Sequence, residues 1–473
     1  MYKRQSRTRA LIFFLTVVFI VIGTYLTIRY AQGYRPTKQG TIKGTGLLNA
    51  NSFPNGAEVY INGRLSTATD TTLNLEPGEY TIELKKDGYH SWKKTLKLES
   101  ELVVQTNAQL FPTSPTLSPL TYTGALNPIS SPDGNQVAFA VASASASTKN
   151  GLYVQDLSTG TLNLGKSARQ IARSSQEYDY TKANYTYSPN GSEILVSFAS
   201  GSHVLLETNQ MNDIASLKDV TIRLPTILRD WEEELARKSL TDLLKLPDFI
   251  LNMATSSATN VYSSPDGDKL LYQATKEIDI PEGLIPQVIA KNTQPETRHL
   301  IPGSFYVYDL KEDTNYLVYT APLPSPSPTP SAKPKIKNSK APLINVANSE
   351  FAISKLLLLD NLDPITAELG SSPSAFHHLQ NNFTITQSLS LFNAQYSPIN
   401  HLPLQWYPDS NHLIITTDNG IDIMGYDTTN RATVYAGPFD RSFVYIWPDA
   451  SRLVTRIQFS PETTPNLYVI KLK

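Results

Sequence analysis

SPDGNQVAFAV occupies Ser131–Val141 and reads as a tight turn running into a strand. Proline presets φ for the first corner, aspartate bonds the backbone ahead of it, and glycine takes a positive φ. The pattern returns at Ser188-Pro189-Asn190-Gly191 before SEILVSF, and at Ser264-Pro265-Asp266-Gly267 before DKLLYQA. Weaker copies stand at Tyr407-Pro408-Asp409-Ser410 and Trp447-Pro448-Asp449-Ala450. An alternating strand comes after each turn, and a second strand often comes after that: Leu152–Leu157, Phe305–Leu310, Ile421–Tyr426 and Leu467–Leu472. Strand, turn, strand, strand, turn, strand makes a four-stranded unit, and five copies are visible. A sixth is expected within 344–398, where the spacing leaves room but the turn signature is absent. The last copy supplies three clear strands, so Leu117–Thr123 is expected to complete it and close a ring.

This repeat resembles that of the TolB-type β-propeller over most of residues 121–473. The resemblance implies a mainly β protein with a six-bladed propeller, seven being the alternative count.

Composition agrees with a β-rich chain. Among 473 residues there are 25 tyrosines, 32 prolines and 23 glycines. The formal net charge of -1 gives no global field to draw nucleic acid, and none is expected as a partner. The absence of cysteine excludes disulfides, thiolate catalysis and cysteine-bound metals.

Residues 41–111 form a second β module. Glu58–Ile61 alternates between the turn pairs Asn55-Gly56 and Asn62-Gly63, as a hairpin strand does. Pro77-Gly78 and Asp87-Gly88 turn again, and Tyr80, Ile82 and Leu84 share one face of the strand between them. A small antiparallel sandwich is expected. Pro54-Asn55-Gly56-Ala57, the V-x-I-x-G from Val59 to Gly63, the L-x-P-G-x-Y from Leu75 to Tyr80 and the K-x-G-Y from Lys86 to Tyr89 together resemble the PEGA domain, with Asn55 in the glutamate position. The resemblance implies a β-sandwich module of bacterial surface and envelope proteins, with no catalytic motif residue. Tyr60, Tyr89 and Trp92 are expected in its core, where a small domain needs its aromatics, rather than on a binding surface. A proline-rich linker over 112–120 leads to the propeller.

The N-terminus reads as a membrane anchor. Ala10–Ile28 is nineteen residues without a charge, about 28 Å as a helix and so close to the hydrocarbon thickness. The run is long for a cleaved signal peptide and apolar all round, unlike a core helix. Lys3, Arg4, Arg7 and Arg9 precede it, but Arg29, Arg35, Lys38 and Lys43 come after, so the charge rule is nearly balanced. A short tail before one large domain places residues 1–9 in the cytoplasm, 10–28 in the membrane and the remainder outside it.

GTLNLGKS, Gly160–Ser167, matches the G-x-x-x-x-G-K-S phosphate loop, and Leu356–Asp360 reads like an acidic magnesium strand. Its position just after Leu152–Leu157 argues otherwise: 158–160 becomes a hairpin turn and Thr161–Leu164 the outer strand of the first blade. No nucleotide is expected to bind, and Leu356–Asp360 becomes an apolar strand ending in a turn acid.

Two segments fall outside the repeat. Thr226–Leu246 carries Leu228, Trp231, Leu235, Leu240, Leu243 and Leu244 at helical spacing opposite a charged face, and is expected to pack on the propeller rim. Residues 321–343, rich in proline and serine with Lys333, Lys335, Lys337 and Lys340, are expected to be an extended loop. No G-x-S-x-G or H-E-x-x-H is present, and His377-His378 cannot face one metal on a regular element. Asp418–Asp422 hints at a calcium loop but lacks the other oxygen ligands, so a solvated turn is expected. No catalytic, cofactor or metal residue is assigned. The expectation is a membrane-anchored extracytoplasmic binding or scaffold protein that recognises an envelope protein or glycan; the alternative is an envelope hydrolase with its site at the propeller mouth.

Overall fold

The computed structural model describes residues 2–31, 34–36, 42–157, 168–286, 288, 292–320 and 403–473. The chain divides into two compact units: Met1–Ser114 with Val288–Gln294, and Pro115–Gln287 with Pro295–Lys473.

In the first unit, helix α1 spans Tyr2–Ala31. Its stretch Leu11–Tyr30 is long and apolar enough to cross a membrane, and none of it is buried. The hydroxyls of Thr16 and Thr27 donate to the carbonyls of Ile12 and Gly23, one turn back, so these polar groups are satisfied inside the helix. Beyond the helix, the Tyr34 ring lies 4.4 Å under the Arg29 guanidinium, and the Tyr34 hydroxyl donates to Glu101 at 2.6 Å.

The adjoining β module is built around the hairpin its turn residues dictate. Asn62 and Gly63 both hold positive φ, which a two-residue hairpin with the right twist needs, and Glu58–Ile61 pairs with Arg64–Ala68 across them. With Gly78–Lys85 and Trp92–Leu98 these strands complete a four-stranded antiparallel sheet. The opposing sheet is mixed rather than antiparallel throughout: Gly46–Ala50 pairs antiparallel with Thr71–Leu75 but parallel with Val103–Gln105. Leu48, Ala57, Val59, Ile82, Leu84 and Leu110 fill the space between, with Trp92 beside them and Tyr80 and Tyr89 packed at the margin. Tyr60 is not in that core. It sits on the outer face, donating to Glu58 at 2.8 Å with the Lys85 ammonium 4.8 Å from its ring.

The second unit contains five four-stranded antiparallel sheets among the described residues, the blades of a β-propeller. Blade one is Leu126–Ser130, Gln136–Val141, Gly151–Asp156 and Arg169–Arg173. Blade two is Asn184–Tyr187, Glu193–Ser197, His203–Glu207 and Lys218–Asp219. Blade three is Ala258–Ser263, Lys269–Ala274, Ser304–Asp309 and Thr314–Thr320. Blade four is Leu404–Trp406, His412–Thr416, Gly420–Gly425 and Ala432–Ala436. Blade five takes three strands from the end of the repeat, Val444–Ile446, Arg452–Ile457 and Asn466–Lys471, and its fourth from the start, Leu117–Pro119. The fourth strand of blade one is Arg169–Arg173, and Thr161–Leu164, expected as its outer strand, lies outside the described residues. Its Ile171 and Ala172 are buried in the cluster that joins blades one and two.

In all five blades the turn between the first and second strands is five residues long: 131–135, 188–192, 264–268, 407–411 and 447–451. The serine that opens the stronger copies closes the turn. Ser131 Oγ donates to Asp133 at 2.5 Å and accepts the Gln136 amide at 2.9 Å, and Ser264 does the same with Asp266 and Lys269. Ser188 repeats it with Asn190 and Glu193. The weaker copies keep the geometry without glycine, since Ser410 and Ala450 hold φ of 60° and 59°.

Neighbouring blades pack face to face through apolar clusters. Val137 and Phe139 of blade one meet Trp447 and Val454 of blade five, and Leu271 and Val307 of blade three meet Leu413 and Met424 of blade four. Segment 344–398, expected to hold a sixth blade, lies outside the described residues, as does 321–343. The blades that flank both segments in sequence pack directly on each other.

The helical insertion comprises α2, Leu224–Leu243, and α3, Asp248–Ser256. Neither packs on the rim, the site expected for this segment. Leu224, Ile227 and Trp231 of α2 cover Leu195, Leu205 and Val220 on the flat of blade two, while Leu228 is left exposed. Leu246, Ile250, Met253 and Ala254 cover Val261, Leu270, Tyr272 and Tyr306 of blade three. Each helix buries an apolar sheet face of the kind that elsewhere in the unit meets the next blade.

Candidate functional site

Strand direction sorts the loops of the second unit onto two faces. In an antiparallel four-stranded blade, the turns from first to second and from third to fourth strand lie at one end. The loops from second to third strand, and the links to the next blade, lie at the other. The first end is the turn face and carries the five short turns together with the third-to-fourth connections, of which 208–217 is the longest fully described and holds a 3-10 turn at Ile214–Ser216. The second is the loop face, where the longer connections leave. Among them are 142–150 with a 3-10 turn at Ser147–Lys149, 174–183 with another at Tyr180–Lys182, the α2–α3 insertion, the long excursion 275–303 and the segment 458–465.

The excursion of blade three is fastened along the blade's outer edge. Thr297 donates its amide to the Asn315 carbonyl at 2.7 Å, and Asn315 Nδ2 returns a bond of 2.6 Å to the Thr297 carbonyl. Asp313, 2% exposed, accepts from the Gly283 amide at 2.7 Å and from the Tyr308 hydroxyl at 2.6 Å. The Arg298 guanidinium lies 3.5 Å from the same carboxylate. A free sheet edge invites pairing with other chains, and this segment covers it.

On the loop face of blade five, Pro438, Phe439 and Asp440 from the incoming link, with Arg456, Gln458 and Pro465 from the second strand and the loop beyond it, line a cleft of about 330 Å³. Asp440 and Arg456 are ion-paired, and the Asp440 amide donates to the Arg456 carbonyl at 2.8 Å. Ser442 adds its amide at 2.8 Å and its hydroxyl at 2.6 Å to the carboxylate. Burial pushes the Asp440 carboxyl up, but the Ser442 bonds and the Arg456 charge outweigh it and hold the group below the usual carboxylate range. Gln458 Nε2 donates to the Pro461 and Thr463 carbonyls at 3.2 and 2.8 Å, which fixes the orientation of its amide. The Phe439 ring stands edge-on to Tyr435, 5.9 Å away at 90°, and the Tyr435 hydroxyl holds the Pro438 carbonyl at 2.9 Å.

Asp418 and Asp422 do not converge on a cation. Asp418 is ion-paired with Arg441, and Asp422 is held by Arg431 through Nε at 2.8 Å and Nη2 at 2.6 Å. Lys166, Leu356–Asp360, His377 and His378 lie outside the described residues. Among the described residues no three His, Asp or Glu side chains group as a metal site. The cleft on blade five escaped the sequence reading because its lining comes from two stretches, 438–440 and 456–465, that only the strand register brings together.

Residues 45–114 match the family model of the PEGA domain. No curated protein matches the chain in sequence. Among solved structures, TolB from Acinetobacter baumannii is 11% identical with a TM-score of 0.20; the alignment covers 83% of this chain and 60% of that one. The chain thus spans about three fifths of the length of that TolB. The AfRom2 CNH domain is 8% identical with a TM-score of 0.25, covering 76% of this chain and 100% of that one. An oligogalacturonate lyase in complex with manganese is 10% identical with a TM-score of 0.18, covering 91% of each chain.

Proposed function

We propose that this chain is a membrane-anchored, extracytoplasmic binding or scaffold protein whose propeller recognises a protein or glycan of the cell envelope through its loop face. One observation carries the reading. Five turns of identical length occupy one face, while helices, the strapped excursion and a lined cleft all leave from the other. A β scaffold that holds its first-to-second turns to one length, and sends its two helices, its longest excursion and a lined cleft from the opposite face, suits a binding platform in which strands give position and loops give specificity. Helix α1, apolar and unburied, supplies the anchor, and the PEGA match supports an envelope location for the domains beyond it.

The test is site-specific photocrosslinking in intact cells. A photoreactive residue at Lys149 or Phe459 on the loop face is expected to give discrete adducts, and one at Asn411 on the turn face none. Equal labelling of both faces, or none at either, overturns the proposal. Protease added to whole cells is expected to degrade the propeller, and its survival there would overturn the assigned side of the membrane.

A further inference from the structure

We infer that the cleft on blade five is a subsite for a neutral pyranose ring of an envelope glycan. The inference rests on the proposed binding role and names the ligand class for one part of the loop face.

Charge narrows the choice first. The two ionised groups in the cleft, Asp440 and Arg456, are paired with each other. A carboxylate already sharing its charge with a guanidinium neither attracts a lone cation nor leaves that guanidinium to balance a lone phosphate. Fixed directional groups remain. The Asp440 oxygens and Gln458 Oε1 are acceptors, and the edge of the Arg456 guanidinium turned from Asp440 is a donor with no protein partner among the described residues. Donors and acceptors side by side suit adjacent hydroxyls, each of which both gives and takes a hydrogen bond.

Shape narrows it further. Phe439 offers an apolar ring held by Tyr435, against which the C–H face of a sugar can lie. Pro438 and Pro465 make stiff walls, and about 330 Å³ is the small end of ligand-site volumes, suited to one or two sugar units rather than a folded partner. Phe459, in the loop that carries Gln458, is 57% exposed and braced edge-on by Tyr468 at 5.3 Å, a second apolar surface for a continuing chain. The polar groups are already fixed by Ser442, Pro461 and Thr463, so little ordering is left for binding to impose.

The experiment uses the full chain in lipid nanodiscs, free of sugar detergents, on an array of neutral pyranose oligosaccharides, N-acetylglucosamine tetramers among them, beside phosphate-rich cell-wall polymers. Retention on neutral oligosaccharides is expected. Phe439→Ala is expected to weaken it at least tenfold, as is Gln458→Met, which leaves the Asp440–Arg456 pair untouched. Ile222→Ala, at an exposed position in the link between blade two and α2, is expected to bind as the unaltered chain does. Retention only on phosphate polymers, no retention at all, or unchanged binding by the folded Gln458→Met variant overturns the inference. A blank array together with persistent loop-face crosslinks removes the sugar subsite and leaves the binding role standing; loss of both removes both.

Discussion

The Trp406 indole N–H donates to the Tyr262 carbonyl at 3.2 Å, joining the innermost strands of blades three and four across 144 residues of sequence. The contact is one of several along that seam. Asp266 donates its amide to Ser410 Oγ at 3.0 Å, and the rings of Tyr316 and Tyr426 meet edge-on at 5.8 Å. Trp406→Phe removes one hydrogen bond and is expected to cost about 1 kcal/mol. Trp406→Ala also removes a half-buried ring and is expected to cost about 3 kcal/mol. Urea unfolding measures both, and equal losses would mean that the ring packs against nothing.

The turn glycines are not equivalent. Gly134 and Gly267 hold φ of 76° and 75°, but a Cβ on Gly134 would lie 2.4 Å from the Tyr445 hydroxyl, while one on Gly267 meets nothing within 4 Å. Gly267→Ala is expected to cost roughly 1 kcal/mol, the backbone strain alone. Gly134→Ala is expected to cost more, and Tyr445→Phe in the same chain to recover the excess. A double-mutant cycle on thermal or urea unfolding tests this, and zero coupling would refute it.

Asp440 links the loop face to pH. Its folded-state pKa is depressed, so the unfolded chain binds the proton more readily. The resulting stabilisation is fully present above the unfolded carboxylate value of about 3.9 and is lost as pH falls through the lower folded value. Asp133, Asp266 and Asp409 are depressed as well, each pushed up by burial but held down more strongly by hydrogen bonds, from Ser131, Ser264 and His412 foremost. Urea titrations from pH 7 down to about 2 are expected to show a steep acid limb below about 3.9. Asp440→Asn should be less stable at neutral pH and show a shallower limb; an unchanged limb would deny the pair its role.

The apolar helix α1 makes a separate prediction. Phe19 and Ile22 are exposed in the middle of α1. Arginine near the centre of a membrane span costs about 2.5–3.5 kcal/mol per residue. Phe19→Arg with Ile22→Arg is therefore expected to move the protein from carbonate-resistant membranes to the extract. Retention in the membrane pellet would mean that α1 does not span the bilayer.

Much of this architecture is written locally. Proline followed by aspartate or asparagine at fixed offsets announces each blade, and the turns form as expected because the forces involved reach only five residues. Serine's part in the turn, bonding both the aspartate and the amide that starts the next strand, became visible only with coordinates. The fourth strand of blade one, Arg169–Arg173, is polar at its edges and carries little local strand signal; burial of Ile171 and Ala172 against the neighbouring blade holds it in place. The helical insertion shows the same limit, since spacing reveals that α2 has an apolar face but not which surface it meets. The cleft on blade five is a product of register alone, and no single stretch of sequence carries its signature.

The closing strand, Leu117–Pro119, lies beside Asn466–Lys471, and Thr121 Oγ1 accepts the Leu467 amide from 346 residues away in sequence. During synthesis the early strand emerges long before its partner exists, and every blade between must be translated first. Until then the growing polypeptide carries an unsatisfied β edge, a hazard for aggregation that grows with the time spent waiting. A chain arrested before Asn466 therefore leaves Leu117–Pro119 without its partner strand, and quality-control proteases would meet that edge unpaired.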